Sequence, residues 1–113
     1  MYRNAAKFDT IRSVAFGSLT TSYAIVGSVL STPAVVVAFK NTTDALVFVS
    51  TDGSNDMIVV PAGSYCVYDV RTNAPNATDY LISSGTPFMV KYSGSAPSSG
   101  AFYIEAIVTQ TNP

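Results

Sequence analysis

Residues 35–69 constrain the fold more than any other part of this chain. They read VVVAFKNTTDALVFVSTDGSNDMIVVPAGSYCVYD: four short apolar, β-branched or aromatic runs separated by three polar clusters. Such runs suit a pleated, half-buried backbone, and the clusters hold the residue types that reverse a chain. Asn41, Thr42, Thr43 and Asp44 can bond their own backbone. The step Asp52-Gly53 favours the positive φ of a hairpin turn. Pro61-Ala62-Gly63 places proline and glycine in the order that a type II turn accepts. The stretch is a β-meander, and nothing in it has the composition of a reaction centre.

Shorter strands are expected at residues 14–16, 23–26, 87–92 and 101–109, with 80–82 a brief strand or a 3₁₀ turn. In residues 64–70 a clean alternation puts Tyr65, Val67 and Asp69 on one face and Cys66, Tyr68 and Val70 on the other. Residues 71–79 and the Ser/Gly-rich 93–100 are loops. About seven to eight short strands at spacings near 8–12 residues predict an all-β fold. The expected architecture is a single antiparallel β-sandwich, jelly-roll-like or Ig-like, over residues 14–113. Residues 1–13 mix charge with scattered apolar side chains. They are expected to form an N-terminal arm, extended or with one helical turn, that is mobile or docks on a partner.

Composition excludes several function classes. With 113 residues the chain is one domain, long enough to bury a core without a metal or disulfide. Cys66 is the single cysteine, which excludes an intramolecular disulfide and a thiolate-only zinc site. There is no histidine, so the usual general base, most metal sites and every Ser-His or Cys-His pair are missing. Arg3, Lys7, Arg12, Lys40, Arg71 and Lys91 are scattered, which argues against nucleic acid as a partner. The apolar run at residues 23–39 is broken by Gly27, Ser28, Ser31, Thr32 and Pro33 and cannot be a membrane helix. The first residues lack a signal-peptide core, so synthesis in a cytoplasm is expected. No cofactor is implied.

Candidate chemistry is sparse. Asp52 and Asp56 flank one turn, with Asp44 one hairpin away. The alternation faintly suggests a calcium loop, but Met57 stands where that loop has glycine, and Gly63 where it has a bidentate acid. A solvated hairpin explains the turn better. Asn41-Thr42-Thr43 and Asn76-Ala77-Thr78 match the glycosylation acceptor pattern without a secretion signal. Seven tyrosines and six phenylalanines invite a glycan-binding reading, with Tyr23, Tyr65, Tyr68, Tyr80, Tyr92 and Tyr103 as candidates. Packing in a core or interface accounts for most of them.

Surface chemistry is the positive clue. Charged residues are 12% of the chain, against roughly 25% in a typical soluble domain. Either a neutral polar skin covers the fold, or other subunits cover part of it. Strands at residues 34–39 and 45–49 are apolar on both faces, which favours the second reading. Val35, Val37, Phe39, Phe48 and Tyr65 are the candidates for core or subunit packing, not yet divided between the two.

The string FKNTTDALVFVSTDGSNDMIVVPAGSYCVYDVRTN carries a resemblance. Asn41, Thr43 and Asp44 precede a strand. Ser50, Asp52 and Gly53 form a hairpin turn, Pro61-Ala62-Gly63 a second turn, and Tyr68, Asp69 and Asn73 the end of a strand. This order resembles a group of small β-rich structural proteins of tailed bacteriophages. Tyr23-Ala24-Ile25-Val26-Gly27 looks like that group's opening strand. Residues 85–91 and 100–104 look like its closing ones. The resemblance covers residues 22–108 and implies a non-enzymatic virion component. Its partners would be copies of itself and other virion proteins of the capsid surface, neck or tail. A carbohydrate- or receptor-binding module of a virion is the alternative.

Overall fold

The computed structural model describes residues 6–70 and 81–109. Within them lie nine strands: β1 (Ala6–Phe8), β2 (Arg12–Ala15), β3 (Ala24–Ile25), β4 (Ala34–Asn41), β5 (Leu46–Ser50), β6 (Ile58–Val60), β7 (Tyr65–Asp69), β8 (Met89–Ser93) and β9 (Ala101–Thr109). A 3₁₀ turn, Phe16–Ser18, is the single helical element described. The pairings β2–β9, β3–β8, β4–β7 and β5–β6 make the chain one long antiparallel ribbon folded at its β5–β6 tip. Two further ladders, β4–β9 and β5–β8, roll that ribbon into two sheets. One sheet runs β2-β9-β4-β7 and the other β3-β8-β5-β6, which is the strand order of a jelly roll. The all-β antiparallel sandwich expected from the sequence is therefore present, in the jelly-roll rather than the Ig-like form.

Two details add to the expectation. β1 adds a strand, extending the same edge of β9 that β2 occupies. The N-terminal segment is thus extended from Ala6, and a boundary at residue 13 falls inside β2. The backbone groups of β9 dictate this, because its outer edge would otherwise go unpaired. At residues 80–82, Ile82 makes an isolated bridge to Ala34. Tyr80, the 71–79 loop, the second acceptor pattern, residues 1–5 and residues 110–113 lie outside the described residues.

The core forms where inward-facing positions of the two sheets meet. Val37 and Phe39 of β4 face Val47 and Val49 of β5, with Phe102, Ile104, Ala106 and Val108 of β9 and Val90 of β8 around them. Phe39 stands at the centre, edge-on to Phe88 at 5.9 Å and to Tyr68 at 6.0 Å. Burying one such ring stabilises the fold by about 2–3 kcal/mol.

One polar tie crosses between the sheets. Asn41 ends β4, is 1% exposed, and donates from Nδ2 to the carbonyls of Ala45 (2.8 Å) and Val60 (2.9 Å). Its Oδ1 accepts from the Thr43 N–H (3.0 Å) and hydroxyl (2.6 Å). Gly100 closes the same end with φ +86°, and a Cβ there would collide with the Thr42 carbonyl. Only glycine fits that approach.

Candidate interaction surface

Strand alternation sends every second residue of the β2-β9-β4-β7 sheet outward. The register arranges them in three rows. Phe8, Ile107, Val36 and Asp69 form the first row. Glu105, Ala38 and Val67 form the second. Ser13, Tyr103, Lys40 and Tyr65 form the third. Phe8 is 84% exposed, Tyr65 70%, Val67 55% and Tyr103 36%. Phe8, Val36, Ala38, Glu105, Ala106 and Ile107 line a shallow dimple of about 100 Å³ in this face. Lys40 and Glu105, both about half-exposed, form a 3.1 Å ion pair on β4 and β9, so the dimple has one charged wall. The central strands thus carry this ion pair, and the exposed Phe8 and Tyr65 rings stand on the flanking β1 and β7.

The outer face of the second sheet is different. Phe48 is flanked by Lys91 and Val59. The Lys91 ammonium sits 4.7 Å from the Tyr23 ring centroid and 5.8 Å from that of Phe48. It also pairs with Asp56 at 3.2 Å, and the Tyr23 hydroxyl donates to the same carboxylate at 2.5 Å. The Tyr23 hydrogen bond and the Lys91 ammonium hold Asp56 below the usual carboxylate range. Burial, followed by the neighbouring carboxylate, pushes the Tyr23 phenol well above its ordinary value. The aromatic faces here are already occupied by a cation.

The five packing candidates divide as follows. Val37 and Phe39 are core. Val35 lies half-buried at the β-bulge where β4 shifts register against β9. Phe48 is half-buried outside the second sheet. Tyr65 stands in the open on the first.

The carboxylates are taken up by structural bonds, Asp52 within its own turn and Asp44 and Asp56 across to other parts of the chain. Asp52 accepts from the Ser54 and Asn55 N–H groups, from Asn55 Nδ2 and from the Ser50 hydroxyl. Those backbone donors hold its pKa far below the ordinary value. Asp44 accepts from the backbone and hydroxyl of Ser98, whose hydrogen bonds lower its pKa as well. Among the described residues no three His, Cys, Asp or Glu side chains gather where they could hold a metal ion. The acceptor pattern at Asn41 is closed to a glycan, because its amide is buried and bonded to the carbonyls of Ala45, Val60 and Pro61.

No family model, curated protein or solved structure matches this chain. No helix among the described residues is long and apolar enough to cross a membrane. The surface therefore has to be read from its own chemistry.

Phe8, Glu105, Ile107 and Arg12 are not among the candidates named from the sequence, though all but Arg12 have a signal there. Phe8 lies in the expected arm, yet its alternation with Ala6 places both on the outward side of a β9 pairing. The outward set Tyr103, Glu105 and Ile107 has a signal in the alternation of residues 101–109. Arg12 has none. It is 6% exposed, donates to the Ser28 carbonyl (2.8 Å) and Asp9 (2.9 Å), and lies 5.7 Å from the Phe88 ring centroid. Burial acts against the Asp9 charge, but the Arg12 hydrogen bond and its neighbours bring the net pKa below normal. Arg12 and Asp9 belong to the wall of a groove of about 350 Å³ with Gly27 and Ser28. Its polar groups bond to one another, so it reads as an anchor for the N-terminal strands.

Proposed function

We propose that this protein is a non-enzymatic structural component of a tailed-bacteriophage particle, made in the host cytoplasm, that self-assembles and binds neighbouring capsid, neck or tail proteins. The observation that carries the reading is the outer face of the β2-β9-β4-β7 sheet. Tyr65, Val67 and Tyr103 stand exposed there on strands whose other side packs on the core, and Phe8 stands exposed beside them on β1. Exposed aromatic and apolar side chains gathered on one sheet face, at low overall charge, suit burial against protein. The jelly-roll order occurs in viral capsid and in lectin domains alike, so it accommodates this reading and does not decide it.

Solution size measurement together with mass spectrometry of purified particles tests the proposal. The expected result is an oligomer in solution and the chain among the particle's proteins. A monomer that is absent from particles overturns it. The second reading, a glycan- or receptor-binding module, draws on Tyr65 and Tyr103 lying in one row with their rings exposed. A glycan array giving binding that Tyr65→Ala abolishes would favour that module over the assembly role.

A further inference from the structure

We infer that the outer face of the β2-β9-β4-β7 sheet pairs with the same face of a second copy across a twofold axis. The inference rests on the assembly reading above and adds the partner and the contact. An isologous interface requires a face that is its own complement: whatever residue i offers, residue j must accept, and the reverse. This face meets that requirement twice.

The first match is of shape. Tyr65, 70% exposed, projects from one side of the face. The dimple of about 100 Å³ lined by Phe8, Val36, Ala38, Glu105, Ala106 and Ile107 lies on the other, mostly apolar with Glu105 at its wall. The second match is of charge. Lys40 and Glu105 are the one cation and one anion of the central strands, on neighbouring strands and adjacent rows. With strands about 4.8 Å apart and about 3.4 Å per residue, the Tyr65-to-dimple and Lys40-to-Glu105 diagonals run nearly parallel in projection. Their perpendicular bisectors coincide to within about 1 Å on the same spacing. A single in-plane twofold therefore seats each Tyr65 in the partner copy's dimple and sets each Lys40 opposite the partner copy's Glu105. Tyr103 and Val67 fall close to the axis and meet their own counterparts.

The area is also right. At roughly 150–250 Å² per aromatic side chain, the exposed parts of Phe8, Tyr65, Val67 and Tyr103 supply about 500 Å². The half-buried Val36 and Ile107 and the stems of Lys40 and Glu105 bring the face to about 700–800 Å², close to the roughly 800 Å² per partner of a standard specific interface.

A charge-reversal exchange tests the pairing. Lys40→Glu and Glu105→Lys are made separately, folding is checked by circular dichroism, and association is followed by sedimentation up to about 1 mM. Each variant alone is expected to dimerise at least ~10-fold more weakly than the parent chain, because like charges then face one another across the axis. An equimolar mixture of the two variants is expected to recover association as a heterodimer. Recovery on mixing cannot come from the Lys40–Glu105 pair within one chain, which is broken in both variants. Tyr65→Ala is expected to weaken the dimer about tenfold without rescue by either partner. An oligomer indifferent to all three substitutions overturns the twofold and leaves the assembly reading standing. A parent chain that stays monomeric at about 1 mM also overturns the twofold. Absence from particles is the separate result that removes the assembly reading.

Discussion

Asn41→Ala should destabilise this fold strongly. The side chain makes five hydrogen bonds, three from Nδ2 to the carbonyls of Ala45, Val60 and, at 3.3 Å, Pro61, and two into Oδ1. With Oδ1 gone, the Thr43 hydroxyl proton can turn to the Ala45 carbonyl at 3.1 Å, so that carbonyl keeps a partner. The Thr43 N–H loses its partner in a site that water does not reach, and the Val60 carbonyl loses its Asn41 donor. At about 1–3 kcal/mol for each of the two groups the sum is about 2–6 kcal/mol. A domain of this size has about 5–15 kcal/mol in all, and the expected fall in Tm is roughly 8–24 °C. Asn41→Asp separates donor from acceptor. It keeps the shape and the acceptor for Thr43, but its carboxylate faces the Ala45 and Val60 carbonyls. The charged form is then disfavoured in the fold, so the pKa of the new carboxyl rises above the ordinary value of about 3.9. A carboxyl held higher in the folded state stabilises it below the unfolded pKa and ceases to do so as pH rises through the folded pKa. The Asn41→Asp variant should therefore gain stability, relative to the parent, as pH falls from about 7 to about 4.5. Urea unfolding at the two pH values reads both effects. A loss below about 1 kcal/mol for Asn41→Ala, or an unchanged pH dependence for Asn41→Asp, would refute the reasoning.

Three further outcomes are expected. Gly100→Ala should lower stability by more than about 2 kcal/mol, since it adds αL strain and a backbone clash with Thr42; thermal unfolding checks it. Thr32→Val should leave stability unchanged or raise it by up to about 1 kcal/mol, because the Thr32 hydroxyl oxygen is buried with no hydrogen-bond partner; a clear loss in urea unfolding would contradict that. Asp52→Asn should weaken the fold at pH 7 and converge with the parent in acid. The lowered Asp52 pKa makes its contribution present above about pH 3.9 and lost as pH falls through the folded value; unfolding midpoints from about pH 7 down to about pH 2 measure the convergence.

The architecture is largely legible in the sequence because strand and turn signals are local. The alternation in β7, the apolar runs of β4 and β5, and the Asp52-Gly53 and Pro61-Ala62-Gly63 turns each depend on a few consecutive residues. What decides between jelly roll and Ig-like topology is not local. The β4–β9 ladder joins residues more than sixty positions apart, and no residue type announces a partner at that range. The same limit explains the packing candidates. Val37 and Phe48 sit in equally apolar runs, yet one is sealed in the core and the other faces outward. Alternation says which residues share a face, and only the second sheet's position says which face is inside. Arg12 is hidden for a related reason. Its burial depends on carbonyls at Ser28 and Val29, sixteen and seventeen residues away, presented by a loop with no signature of its own.

The contrast between the two outer faces bears on which of them the proposed assembly would use. Both carry aromatic side chains, so aromatic content alone does not distinguish them. On the β3-β8-β5-β6 sheet, Lys91 lies against Tyr23 and Phe48 and is neutralised by Asp56. A partner docking on the rings there would have to displace a cation from two ring faces and break its ion pair with Asp56, which is unfavourable on both counts. On the β2-β9-β4-β7 sheet, the Lys40–Glu105 pair lies beside the exposed Tyr65, Tyr103 and Phe8 rings rather than on them. Covering that face removes apolar area from water and can exchange Lys40–Glu105 contacts within a chain for equivalent ones between chains. The low charge of the chain then has a structural meaning. Each outer face carries an ion pair, but only Lys91–Asp56 lies over aromatic rings, so the rings of the first sheet stay uncovered.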